Sequence, residues 1–481
     1  MLLVLAFRHL LVRKGRSLVL LFGFALGVGV MIVLLSVGEA MLEQSRDVAL
    51  VGGGEVTVLP EGIDVEAMRT GGVTGMFFGI DRARYVTRQF LGGPRERGAI
   101  AAVAPAIENK LVYLRARGRT VVTRAGGEIP SRAAAVGAGL DLVSGNWSDT
   151  PADLAWITPT PQQLYDELDR FHLPPVADST WAEWDYFNVV TGPDEWWYVT
   201  LLVGGEVPTG RWGGQLLVTH RRPDGRYERF ADPVPAARIE LDTAAADLVL
   251  GASAVRQRMG VYRVSARVPG RLEIEFTLRP SPNRYFPAAE LRADPFISGY
   301  VVPALSGRVD GRFCVDGRCR AVVRAAGYHD HNWGVWRAVT WDWGVAHGAA
   351  LDVLYGGVRT ADSTAGGAPF FLAAVDSMGI RQVLRFREIG YAGAGPAAAP
   401  GIRAPANFLL SAARGTDTVR LRVGVEDALG SVSAAADFRR YFLQMRGRFT
   451  LEGRLAGEMV RDSGSGFFET YVKPPAPRTP R

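Results

Sequence analysis

Hydrophobic positions fall in two patterns along this chain. From Ser17 to Gly38 they run without a charge (SLVLLFGFALGVGVMIVLLSVG), and from Trp181 onward they alternate with polar residues. A helix of the first kind spans a bilayer core of about 30 Å. Arg8, Arg13, Lys14 and Arg16 precede it, while Glu39, Glu43 and Asp47 follow. This asymmetry predicts a cytoplasmic basic stretch over 1–16, a transmembrane helix over 17–38 and the remainder outside the cytosol. Gly38 and Ala40 would also suit a cleavage site, but the apolar run exceeds the roughly 7–15 residues of a signal peptide, which favours an uncleaved anchor. No second run of this kind occurs, so a single pass is expected.

The alternating part predicts strands. Tyr262, Val264, Ala266 and Val268 alternate with Arg263, Ser265 and Arg267. Pro269-Gly270 then turns the chain, and Leu272, Ile274, Phe276 and Leu278 alternate with Glu273, Glu275 and Thr277, which reads as a hairpin with one apolar face. Val419, Leu421, Val423 and Val425 repeat the pattern. The fold class is therefore mainly β, as a large sandwich or, in preference, one or two closed barrels. Ahead of it, residues 40–150 predict a small α+β region with short strands at 55–59 and 110–114 and a helix over 81–91. Residues 151–178 predict a linker with a short helix over 162–171, opened by Pro161 and stopped by Leu173-Pro174-Pro175. The tail 473–481 (KPPAPRTPR) predicts disorder.

Composition removes several alternatives. With 481 residues, 48% hydrophobic and 22% charged, the chain has enough apolar material for real cores. Its net charge of +6 would permit a nucleic-acid partner. However, lysine occurs only at 14, 110 and 473, and the arginines scatter along alternating strands, so no phosphate-binding footprint forms and no nucleic acid is expected. The two cysteines bracket Asp316-Gly317, a two-residue hairpin turn. Cys314 and Cys319 then face each other as a non-hydrogen-bonded pair, within disulfide range in an oxidising exterior.

Tryptophan is concentrated at 181, 184, 196, 197 and 212, and again at 333, 336, 341 and 343. Packing accounts for single positions, but two dense clusters in alternating strands suit a barrel that holds a flat or elongated apolar ligand. Between them lies Gly327-Tyr328-His329-Asp330-His331-Asn332-Trp333-Gly334. As a strand, Tyr328, Asp330 and Asn332 share one face and His329, His331 and Trp333 the other, and the pattern leaves open which face meets a lumen. Three uses stay open. One is a satisfied polar network that closes the barrel. Another is an acid–base site with Asp330 as proton donor. The third is a metal site of His329, His331 and His347, for which a lone HxH is a weak signal; no metal or cofactor is expected. The absence of a nucleophile elbow, Walker loop, dinucleotide fingerprint or HExxH leaves the corresponding enzyme classes without support.

The string at 328–334, with Trp341-Asp-Trp-Gly344, Trp184-Asp-Tyr-Phe187 and Glu195-Trp-Trp-Tyr198, resembles the AttH and hydroxyneurosporene synthase (carotenoid 1,2-hydratase) group over about residues 180–472. The resemblance implies a lipocalin-like double β-barrel, with the first barrel at 179–335 and the second at 336–472. Residues 1 to about 150 resemble the first helix and the start of the periplasmic domain of MacB/FtsX-type ABC-transporter permeases, through Arg13-Lys-Gly-Arg-Ser17 and Leu142-Val-Ser-Gly-Asn-Trp147. Unlike those permeases, this chain shows no further apolar span near its C-terminus. In the hydratases an acid and a tyrosine beyond the HDHNWG string assist proton transfer, and Asp352 and Tyr355 are the nearest counterparts.

Together these readings imply a protein tethered to a bacterial inner membrane that binds a lipophilic small molecule, an isoprenoid or lipid, beside ABC-transporter subunits. Trp184, Tyr186, Trp197, Tyr328, Asn332, Trp333, Trp341 and Trp343 would contact it, and His329, Asp330 and His331 would orient its polar end. The alternative is an enzyme that hydrates an isoprenoid double bond. There Asp330 or Asp352 would act as acid, Trp333 and Trp341 would stabilise a carbocation, and a histidine would handle water. A third reading is a structural partner of a permease without any ligand.

Overall fold

In a computed structural model, the described residues are 14–49, 56, 58, 80–96, 98–136, 148–172, 174, 177–293, 296–336, 339–359, 370–433 and 440–472. They divide into two compact units, residues 1–83 with 100–154 and residues 84–99 with 155–481.

In the first unit, helix α1 (Lys14–Ala49) contains the whole apolar run, and its segment Lys14–Val37 is long and apolar enough to cross a membrane. Helix α2 (Ile80–Gly92) begins in this unit and continues in the other. A hairpin of β1 (Ala106–Ala116) and β2 (Arg119–Glu128) precedes α3 (Pro130–Ala135). The strand expected at 55–59 is not formed at Val56 or Val58, and its other residues lie outside the described set, as do 142–147 and the tail 473–481.

The second unit is almost entirely antiparallel β. After α4 (Pro151–Ile157) and α5 (Pro161–Leu168), twelve strands build one sheet. They are β3 (Trp181–Gly192), β4 (Glu195–Glu206), β5 (Arg211–Arg221), β6 (Tyr227–Pro235), β7 (Ile239–Asp242), β8 (Asp247–Leu250), β9 (Ser253–Arg258), β10 (Val261–Val268), β11 (Leu272–Pro280), β12 (Phe286–Ala293), β13 (Phe296–Val315) and β14 (Arg318–Val335). The order β6-β5-β4-β3-β14-β13-β11-β10-β9-β8-β7 curls into a nearly closed barrel, with β12 added on β13.

Nine more strands make the second barrel: β15 (Thr340–Gly348), β16 (Asp352–Arg359), β17 (Phe370–Asp376), β18 (Gly379–Phe386), β19 (Ile389–Ala399), β20 (Ile402–Arg414), β21 (Asp417–Ser433), β22 (Arg440–Leu455) and β23 (Glu458–Val472). Their order is β18-β17-β16-β15-β23-β22-β21-β20-β19, and pairing of β18 with β20 closes the ring.

Alternation explains both interiors. Phe187, Val189, Val199, Leu201, Val264 and Ile274 fill the first core, while Val353, Leu372, Leu421, Met445 and Phe468 fill the second. A third cluster lies between the barrels, with Val302, Leu305 and Tyr328 from the first and Val345, Leu354 and Phe371 from the second. Polar bonds hold the same junction: Tyr227 Oη donates to Asp427 at 2.9 Å, and Arg446 donates to the Pro193 carbonyl at 2.8 Å.

At the tip of the β13–β14 hairpin, Asp316 and Gly317 have φ of 46° and 78°, the left-handed pair of a type I′ turn. Cys314 sits opposite Cys319 with Cα atoms 3.9 Å apart, and the two form a disulfide.

Candidate functional site

The β14 alternation sorts the HDHNW string into two compartments. Its register with β3 sets His331 opposite Asp185, Trp333 opposite Glu183, Asp330 opposite Tyr186 and Asn332 opposite Trp184. Over 181–190 of β3 and 327–333 of β14, odd-numbered residues point into the first barrel and even-numbered ones away from it, with Trp184, Tyr186, Tyr328, Asp330 and Asn332 toward the seam between barrels.

Inside the first barrel a wholly buried ionic cluster forms. Asp169, just past α5, reaches in beside Phe171, so the stretch read as a linker supplies part of the barrel's interior. The helix ends at Leu168, short of the expected 171, because Asp169 leaves helical geometry (φ −141°) to make this turn. His331 Nδ1 meets Asp169 Oδ1 at 2.8 Å, and its Nε2 meets Glu183 Oε1 at 2.9 Å. His329 Nε2 lies 3.2 Å from Asp169 Oδ2, which also accepts from Tyr262 Oη at 2.6 Å.

Burial opposes charging here, but the partners decide the outcome. Despite desolvation, hydrogen bonds and charge from His329 and His331 hold the Asp169 carboxyl well below the usual range. The same partners, against the same penalty, raise both imidazoles. Asp185 has no hydrogen-bond partner on either oxygen, and burial pushes it up to about 7. Trp333 stacks on His172 at 3.7 Å, and Phe187 stacks on His329 at 4.2 Å.

The seam carries the other half. Tyr328 Oη donates to Asp330 Oδ2 and Asn332 Nδ2 donates to Asp330 Oδ1, both at 2.6 Å. Trp343 Nε1, from the second barrel, donates to Tyr328 Oη at 3.0 Å. Burial raises Asp330 to about 6 against those hydrogen bonds.

Glu469 on β23 faces Trp343 and Gln444 in register and accepts from Trp341 Nε1 at 2.9 Å. Burial, with the nearby Asp330 charge, pushes Glu469 up to about 7. Around these acids the rings of Trp184, Tyr186, Trp336, Trp341, Trp343, Phe442, Phe467 and Tyr471 are only half-buried. Trp184 and Trp336 from the first barrel meet Trp341 from the second at 6.2 and 5.4 Å between centroids.

Of the residues singled out from the sequence, the structure brings Trp184, Tyr186, Tyr328, Asp330, Asn332, Trp341 and Trp343 to the seam. It places His329, His331 and Trp333 in the first barrel. Trp197 is also there, fully buried and stacked on His220 at 3.5 Å. His347 and Asp352 pair with each other at 3.0 Å in the second sheet, so His347 does not join the other two histidines.

Asp352 also binds Arg284 at 2.9 Å and Ser306 at 3.1 Å. Against its burial, the His347 hydrogen bond and charge, followed by Arg284 and Ser306, lower its pKa, which unsuits it as a proton donor. Tyr355 belongs to the second core, where its ring meets Phe386, Phe408 and Phe468 and its hydroxyl has no partner.

Sequence reasoning missed Asp169, Glu183, Asp185 and Glu469. The one available signal was alternation, since Glu469 stands between Phe467 and Tyr471 on one face. Two cavities lie apart from the seam: a groove of about 650 Å³ lined by Trp181, Gly204, Gly214 and Val234, and one of about 470 Å³ walled by Arg256, Arg258, Arg263 and Arg279.

No family model matches the chain, and no curated protein matches it. Solved structures with a similar backbone include CghA with Sch210972, at 13% identity and a TM-score of 0.46, covering 66% of this chain and 96% of that one. They also include a candidate AttH from Nitrosomonas europaea, at 16% identity and a TM-score of 0.43, covering 63% and 97%. Kievitone hydratase from Nectria haematococca is 12% identical with a TM-score of 0.42, covering 63% and 96%.

Proposed function

We propose that the seam between the two barrels binds a lipophilic small molecule with a polar end, and that α1 tethers this binding unit to a membrane with the barrels outside the cytosol. The observation that carries the reading is Glu469, a carboxyl raised to about 7 among half-buried aromatic rings contributed by both barrels. Flat apolar walls with few polar groups suit an elongated hydrocarbon, and the paired acids Glu469 and Asp330 suit a hydroxyl or carbonyl at its end.

The test is mass spectrometry of an organic extract of the full-length protein purified in detergent from its native host. A single defined lipophile, depleted by Trp341→Ala, supports the reading. Bulk membrane lipid alone, unchanged by that substitution, overturns it. The partnership with an ABC exporter rests on the resemblance of the first 150 residues, and co-purification with transporter subunits tests it.

The acids favour a second reading, hydration of an alkene. Glu469 would give its proton to one alkene carbon, the aromatic walls would face the cation, and water would add to the other carbon. Water's surplus proton would pass to the Asp330 carboxylate, whose two oxygens already act as acceptors. Incorporation of ¹⁸O from labelled water into the retained lipophile, abolished by Glu469→Gln, separates an enzyme from a carrier.

A further inference from the structure

The ionic cluster inside the first barrel holds a donor set that hydrogen bonding leaves incomplete. Asp185 is 1% exposed and neither oxygen has a hydrogen-bond partner, so ionised or neutral it is left with a buried polar group unsatisfied. His329 supplies the complementary observation. Its Nδ1 lies 3.1 Å from the Tyr186 backbone carbonyl, which can only accept, so Nδ1 carries a proton. Nε2 then faces Asp169 Oδ2 at 3.2 Å and Asp185 Oδ1 at 3.8 Å, as a proton donor to Asp169 when the ring is charged and as a free ligand atom when it is neutral.

A ring proton on Nε2 would satisfy Asp169 but, at 3.8 Å, not Asp185, whereas a bound cation would meet both carboxylates. A backbone carbonyl fixing the far nitrogen is also how metal-bound imidazoles are oriented. His331 cannot fill the gap, because its two nitrogens are engaged by Asp169 and Glu183.

We propose that Asp169 Oδ2, Asp185 Oδ1 and His329 Nε2 bind a divalent first-row transition cation, zinc by their nitrogen–oxygen character, inside the first barrel. One oxygen of each carboxyl and one nitrogen of the imidazole lie within 4.8 Å of one another. Ligands at about 2.0–2.2 Å around tetrahedral zinc stand roughly 3.3–3.5 Å apart. His329 Nε2 and Asp169 Oδ2, 3.2 Å apart, are already near that spacing, and Asp185 would draw in from 3.8 Å. Tyr262 Oη, already on Asp169 Oδ2, steadies that ligand from outside. The cation would join three separate elements: the end of the linker, β3 and β14. Its role is to fasten the linker into the barrel, and it is independent of the seam chemistry.

The experiment uses the full-length protein in detergent, grown and purified with Zn²⁺ present. Elemental analysis is expected to find about one zinc per chain, and X-ray absorption to show one imidazole nitrogen and two carboxylate oxygens at about 2.0–2.2 Å. Chelation is expected to speed proteolysis within 158–178, and added Zn²⁺ to reverse it. Asp185→Asn, checked for folding by circular dichroism, is expected to lose the metal. Wild-type protein that stays free of Zn²⁺, Mn²⁺ and Fe²⁺ overturns the proposal, and this outcome needs no variant to fold. So does a spectrum with two imidazoles and one oxygen, which would place the metal at His172, Glu183 and His331 instead.

Discussion

Asp330 and His331 are consecutive on β14, yet their side chains serve separate compartments. Asp330 meets Tyr328 and Asn332 at the seam between the barrels, and His331 bridges Asp169 and Glu183 inside the first barrel. A single strand thus contributes to both a candidate ligand site and a separate buried ionic lock. Because a strand's faces alternate, each can be altered while the other keeps its partners.

The seam acid should leave a pH signature. Glu469 is raised from 4.5 to about 7, so between these values the folded state binds more protons than the unfolded one. Stability therefore falls as pH rises through this window and levels off above it. For a half-buried group the total is about 1–2 kcal/mol after allowance for solvent screening. Glu469→Gln should flatten the slope, read from urea midpoints across pH 4.5–7.5. An unchanged slope would mean the carboxyl titrates normally and is no candidate acid.

Much of this arrangement was legible from one strand at a time. The alternation of 328–333 gives the two faces, Asp316-Gly317 gives the hairpin and hence the cysteine pair, and the run 17–38 gives the apolar helix. Which face meets which compartment was not legible, because that depends on β14 lying between β13 and β3, more than a hundred residues upstream. The same distance hid Glu183 and Asp185, whose importance comes only from lying across from Trp333 and His331. Asp169 was hidden differently. It ends a short helix in a stretch that composition marks as a connector, and nothing local says that the chain then turns inward. Asp352 and Tyr355, which the hydratase resemblance brought in, stand apart from the HDHNWG side chains: Asp352 pairs with His347 and Arg284, and Tyr355 lies in the second core.

His331→Gln should be among the most damaging single changes. It removes the group that separates Asp169 from Glu183 and leaves two buried carboxyls without their shared partner. Breaking a buried pair in this way costs about 3–5 kcal/mol. The double variant Asp169→Asn/His331→Gln should cost less than the sum of its parts, because the residues act through one network. Thermal unfolding of the four proteins closes the cycle, and strict additivity would show that the two do not interact.

The Cys314–Cys319 bond closes a short hairpin already shaped by its turn, so its effect should be small. Loop-closure entropy for so few residues gives about 2 kcal/mol at most, and a preformed turn lowers it to about 1–2 kcal/mol. Cys314→Ser/Cys319→Ser should lower the unfolding midpoint by that amount and leave ligand retention unchanged. A loss of ligand would tie the hairpin tip to the seam.

Asp352 separates stability from chemistry. Its carboxyl binds Arg284, His347 and Ser306, and the shift is downward from 3.8, so it contributes stability above that value and loses it as pH falls through the lower folded one. Asp352→Asn leaves the Arg284 guanidinium, 18% exposed, without its counter-charge. The expected cost is about 2–3 kcal/mol at neutral pH and less in acid, where the wild type also weakens. Ligand retention and any ¹⁸O incorporation should persist at temperatures where the variant is folded, because the seam acids keep their own partners. A folded Asp352→Asn protein that retains the lipophile yet loses incorporation would return Asp352 to the reaction and displace Glu469 as its acid.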